Sequence, residues 1–199
     1  MPSLFRIAFG LLVLAAIGSQ LAIHLDKSFN VLNFFSYFTN LSNLFAAAVL
    51  LLTGWRAAAM RLQPGAVDAL RAASTVNMAV VGIVFVLLLR DVDLGSLQPW
   101  VNSVLHHVMP CVVVLDWLLQ APTQRLSLRT LLGMLVFPML YLLYVVVRGE
   151  MVGWYPYPFM NPALAGGAGG VALHAAGIAL LFAALGGAVL AWGHRRQRA

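Results

Sequence analysis

The sequence predicts an all-α, polytopic membrane protein: one domain over residues 1–199, with six transmembrane helices. Three observations predict it. The chain of 199 residues is 62% hydrophobic and 9% charged, whereas soluble domains carry about 25% charged residues. Several uninterrupted apolar runs reach the ~20 residues a helix needs to cross a bilayer. Those runs do not alternate apolar with polar residues, as strands of a membrane barrel do, so self-satisfying helices are the expected spans.

The spans fall at 4–24, 34–54, 71–89, 100–119, 130–147 and 170–192. The first has Arg6 at its start and small residues at Ala15 and Ala16, features shared with a signal peptide. Its apolar run continues to Ile23, longer than a signal-peptide core, so a span is expected. Lysine and arginine set the orientation. Arg6, Arg56, Arg61, Arg71, Arg125, Arg129, Arg195, Arg196 and Arg198 fall on one side, and only Lys27, Arg90 and Arg148 on the other. The positive-inside rule then places both termini in the cytoplasm. The net charge of +6 is read as this topology signal, and no nucleic-acid partner is expected. The single cysteine, Cys111, excludes an internal disulfide.

The second span opens unusually. Asn33-Phe34-Phe35-Ser36-Tyr37-Phe38-Thr39-Asn40-Leu41-Ser42-Asn43 puts six small polar residues at the mouth of an apolar run. On a helix, Ser36, Thr39, Asn40 and Asn43 form one stripe, which is costly in hydrocarbon unless it faces protein or water. Spans two, four and six all run inward from outside. Thr39 then lies ~8 Å below Phe34 and His106 ~9 Å below Trp100, with His174 at similar depth in span six. In span four, Asn102, His106, Met109, Val113 and Asp116 lie along one side. Pro110 has no N–H for the carbonyl of His106, so a bend is expected there. Asp116 is level with Asn77, a pairing expected to clamp spans three and four. The outer loop from Gly149 to Gly169 carries Trp154-Tyr155-Pro156-Tyr157-Pro158-Phe159. It reads as a lid over the bundle mouth or as an interfacial anchor.

A threonine hydroxyl becomes a nucleophile only beside a base, and histidine is the usual one. Ser36, Asn40 and Asn43 are candidates to hold an oxyanion or position substrate. His174 and Asn102 are further candidates for support. Two duller readings stay open: Thr39 bonding back to the carbonyl of Phe35, and the asparagines acting as glue between helices. There is no Gly-x-Ser-x-Gly elbow, no His-Glu-x-x-His pair and no phosphate loop with its lysine. Haem held by two of His24, His106, His107 and His174 is a weaker alternative, since His106 and His107 are adjacent. No metal and no cofactor is expected.

Three motifs carry a resemblance: Phe35–Asn43; Leu105-His106-His107-Val108-Met109-Pro110 with Leu115-Asp116-Trp117; and Trp154–Phe159. In this order they resemble the bacterial Pr6Pr family of six-span membrane proteins over nearly the whole chain. That family is distantly similar to the eukaryotic androgen-induced proteins, among them the androgen-dependent regulator of tissue factor pathway inhibitor. Those eukaryotic proteins are hydrolases of fatty-acid esters of hydroxy fatty acids, with an intramembrane threonine nucleophile and a histidine. The resemblance implies Thr39 as nucleophile and His106 as base. The eukaryotic histidine lies one residue further from its proline than His106, and His107 is closer still. It implies a multi-pass protein of the bacterial inner membrane, with membrane lipid as environment and substrate. The alternative is a non-enzymatic lipid- or ligand-binding membrane protein.

Overall fold

A computed structural model describes residues 1–62, 64–93 and 95–197; Arg198, counted above among the cytoplasmic charges, lies outside them. Among the described residues there is no strand. Six helices are long and apolar enough to cross a membrane: Ser3–Asp26, Phe38–Ala58, Gly65–Leu89, Pro99–Leu119, Leu128–Val152 and Gly167–Arg196. The predicted all-α, six-span architecture holds.

The spans begin or end a few residues away from the apolar runs, because helices continue into polar flanks once those flanks find partners. The first is α1 (Ser3–Asp26). The third, α4 (Gly65–Val84), begins six residues before the predicted start and carries Asp68 and Arg71, both buried. It widens into a π-helical turn at Phe85–Leu89. The fifth, α7 (Leu128–Val152), ends on Gly153 at φ +67°, a left-handed position that glycine adopts without strain. The last, α9 (Gly167–Arg196), is the longest; the short α8 (Pro162–Ala165) precedes it.

The second span departs most from expectation. A short helix, α2 (Val31–Phe35), is capped by Asn30, whose side chain accepts from the N–H groups of Leu32 and Asn33. The chain then breaks at Ser36 and Tyr37, and α3 (Phe38–Ala58) starts afresh. The continuous stripe therefore does not form: Ser36 sits outside α3, and Thr39 lies in its first turn. A helix start leaves N–H groups without intrahelical partners, and the polar residues here serve that break. The Tyr141 hydroxyl of α7 donates to the Ser36 carbonyl at 2.9 Å and accepts from the Phe38 N–H at 3.2 Å.

Span four is built in three pieces: α5 (Pro99–Ser103), a π-helical turn at Val104–Val108, and α6 (Met109–Leu119). The bend expected from Pro110 is thus taken up as a widened turn just before it, and that turn contains His106. Gly82 of α4 faces it: a Cβ there would lie 3.0 Å from Pro110 Cβ, so glycine permits the close approach of the two helices.

Helix α4 is the hub, packing against α3, α6, α7 and α9. One apolar cluster joins Val13, Ala46, Met78 and Met109; another joins Val76, Phe85, Trp117, Tyr141 and Phe182. Outward faces of α7 and α9, including Leu132, Val136, Leu143, Leu173 and Leu180, are exposed, as faces turned to hydrocarbon are. At the end away from Thr39, Asp116 pairs with Arg6 at 2.8 Å and with Arg71 at 3.3 Å. Asp68 accepts from Arg71 and from both the N–H and the hydroxyl of Thr123. The expected Asp116–Asn77 clamp is therefore replaced. A buried carboxylate is neutralised far better by guanidinium groups than by an amide.

Candidate functional site

The break before α3 places the Thr39 side chain at a cavity wall rather than along a helix flank. Thr39 and His106, each 7% exposed, line a common cavity of about 340 Å³ together with Asn40, His24 and Gln20. Tyr155, Pro156, Tyr157 and Pro158 form its cover. The loop between α7 and α8 thus lies over the cavity as a lid. It is held down from α7, where a Cβ on Gly149 would overlap the Tyr155 ring, and the Arg148 guanidinium stacks 5.0 Å from Trp154.

Thr39 is held by the lid itself. Its N–H donates to the Tyr157 hydroxyl at 3.2 Å, and its Oγ1 lies 3.4 Å from the same oxygen. The back-bond to Phe35 is not the arrangement adopted. Burial pushes the Tyr157 phenol above its ordinary value, so it stays protonated and keeps a hydrogen to give. Thr39 also sits at the positive end of α3, where negative charge on its oxygen is favoured.

His106 is oriented by its own helix. Its Nδ1 lies 3.1 Å from the Asn102 carbonyl. A carbonyl only accepts, so Nδ1 carries the proton and Nε2 keeps a lone pair. The ring stacks on Phe85 at 4.1 Å and 23°, which fixes its plane. His107, one residue on, is exposed on the outer flank of the helix. The π-helical turn therefore turns His106, not His107, toward the cavity of Thr39.

The supporting candidates separate. Asn40 lines the cavity, and its Nδ2 donates to the Phe34 carbonyl at 2.8 Å, tying α3 back to α2. Asn43 donates to the carbonyls of Thr39 at 2.9 Å and Leu105 at 3.2 Å, so it joins the threonine's helix to the histidine's. Asn102 contributes its carbonyl rather than its side chain. Ser36 is engaged elsewhere, donating to the Leu32 carbonyl and meeting the Tyr144 hydroxyl at 2.7 Å. His174 is not brought to Thr39: its Nδ1 meets the Gly170 carbonyl at 2.8 Å and its ring stacks on Phe159. Equal depth did not translate into a shared site, because α9 turns that face to Phe159.

Tyr157 and Phe85 are the residues that sequence reasoning did not single out. Tyr157 was visible only as part of a Tyr-Pro-Tyr-Pro lid, and Phe85 as one apolar residue among many. Among the described residues no group of three or more histidine, cysteine or acidic side chains is placed to hold a metal.

A family model described as FAR-17a/AIG1-like protein matches residues 26–190. None of the curated proteins and none of the solved structures compared with the chain matches it.

Proposed function

The chain belongs to the FAR-17a/AIG1-like family, and on that premise we propose that it is an intramembrane hydrolase of lipid esters, with fatty-acid esters of hydroxy fatty acids as the candidate substrates. The observation that carries this reading is the single cavity lined by Thr39 and by a histidine whose Nε2 is left free. The Thr39 oxygen attacks the ester carbonyl while His106 Nε2 takes its proton. The positive end of α3 favours the resulting oxyanion. The carbon–oxygen bond to the alcohol then breaks, and His106 returns the proton to that alcohol. Water, deprotonated by the same histidine, releases the acid from the acyl-threonine and restores Thr39.

The arginine distribution supports both termini in the cytoplasm and hence the site in the outer leaflet, and the resemblance of the three motifs to a bacterial family supports an inner-membrane location. The lid then separates it from the external water that hydrolysis consumes.

The test is hydrolysis of a long-chain hydroxy-fatty-acid ester by purified protein. Thr39→Ala is expected to lower kcat/KM by at least ~10³-fold, and His106→Ala by about 10²–10⁴-fold. Full activity in both variants sinks the mechanism. A second reading is non-enzymatic lipid binding. It is favoured by one observation: the hydrogen-bond partner of Thr39 Oγ1 is Tyr157 rather than His106. It predicts that a fluorophosphonate probe never labels Thr39, whereas the hydrolase is labelled there.

A further inference from the structure

Thr39 stands at a junction. A second cavity of about 140 Å³ lies on its other side, between α4, α7 and α9. Thr39, Leu89 and Tyr157 line both cavities, so these residues form the partition. The two spaces differ in chemistry. The His106 cavity presents amide, carboxylate and imidazole groups from Gln20, Asn40, Asp93 and His24. The second is walled by Val81, Val84, Leu135, Met139, Ile178 and Phe182, and its hydroxyl-bearing side chains, Thr39, Tyr141 and Tyr157, lie at and around the junction.

The second cavity also reaches the outside of the bundle. Met139 lines it and is 56% exposed; Ala179 lines it and is exposed as well. Both residues lie mid-span, on α7 and α9, so the opening is onto hydrocarbon. Pro138, also in the wall, has no N–H for the Met134 carbonyl and loosens α7 at this level. Ala175 and Ala179 keep α9 slim along the same stretch.

We infer that this apolar cavity is the acyl subsite: a hydrocarbon chain enters it sideways from the bilayer and leaves its ester carbonyl at Thr39. The inference rests on the hydrolase reading and assigns the two halves of the substrate. The alcohol half occupies the cavity under the lid. When the Thr39–acyl bond forms and the bond to the alcohol oxygen breaks, the alcohol departs with the proton from His106 through the polar cavity. The acyl chain stays behind, anchored by Thr39, and water enters by the route the alcohol has vacated. The bilayer is as apolar as the cavity, so the chain gains little by transfer. Discrimination comes from fit, and acyl length rather than alcohol length governs it.

The experiment compares 4-nitrophenyl palmitate with 4-nitrophenyl butyrate in nanodiscs. Ala175→Phe narrows the cavity and lowers the palmitate-to-butyrate ratio of kcat/KM about tenfold, the scale on which apolar pockets discriminate chain size. Ile178→Ala widens it and moves the ratio the other way. Butyrate esters of short and long alcohols show no such shift. A shift confined to the alcohol series, or an unmoved acyl ratio in both variants, overturns the inference. A diazirine-bearing palmitate tests the site without turnover, in Thr39→Ala protein. Crosslinks concentrated at Met139 and Ile178 support the subsite even if the wild type hydrolyses nothing, in which case the hydrolase reading fails alone. Crosslinks spread evenly along the outer flanks of α7 and α9 overturn the subsite even where hydrolysis is observed.

Discussion

Two tyrosine hydroxyls make the break before α3 tenable, and they do different work. Tyr141 satisfies the Ser36 carbonyl and the Phe38 N–H. Removing its hydroxyl leaves two buried backbone groups unpaired, at about 1–3 kcal/mol each. Tyr141→Phe is therefore expected to lower the melting temperature clearly. Tyr157 satisfies one backbone group, the Thr39 N–H, and in addition faces Thr39 Oγ1. Tyr157→Phe is expected to destabilise less than Tyr141→Phe and to lower kcat by about 10–100-fold, since it alone changes the surroundings of the nucleophile. Melting and kinetics on the two variants check the pair; equal kcat loss in both would falsify the division of roles. This part of the site was half legible. Thr39, Asn40 and Asn43 stood out by polarity alone. That a tyrosine more than a hundred residues away would cap the same turn could not be read from a motif, because nothing local specifies which lid side chain points down.

At the scale of elements, the buried charges hold α1, α4 and α6 together at the end opposite the lid. Asp116 lies between Arg6 and Arg71, and the Arg6 guanidinium reaches Gln120 as well. All three charged side chains are almost fully buried. Deleting the carboxylate leaves the Arg6 guanidinium in a low-dielectric setting without its counter-charge and leaves Arg71 with Asp68 as its acidic partner. Asp116→Ala is expected to cost about 3–5 kcal/mol, read as a fall in melting temperature in detergent. An unchanged melting temperature rejects this cluster as the fastening of the bundle. The Arg6 contribution was seen in the sequence only as an orientation signal. Its pairing depends on α1 lying alongside α6, a tertiary fact. The bend at Pro110 was legible, since a missing N–H is written in the chain. Its form, a widened turn that selects His106 over His107, depends on how α4 packs at Gly82.

For the whole molecule, the arginine asymmetry makes a prediction about sidedness. In a Cys111→Ser background, a cysteine at Ala59 is expected to resist a membrane-impermeant maleimide in intact cells, and a cysteine at Asp91 to react. Reversed labelling inverts the topology and moves the site to the inner leaflet. The same frame explains why the candidate cavities lie where they do. Helices α7 and α9 cover the bundle from one side and turn broad apolar faces outward. The lid that joins them closes the end at which α3 begins.

The sequence by itself determined the class, the number of spans and the small set of polar residues able to do chemistry. Hydropathy acts locally, residue by residue, and a bilayer converts it directly into spans. Tertiary structure alone decided which of those polar residues meet. It broke the second span before Thr39, brought His106 to its cavity, left His174 on Phe159, and set Tyr157 between an apolar and a polar space. Those outcomes follow from the rotation and contact of helices distant in sequence, and depth counted along each helix carries no information about rotation.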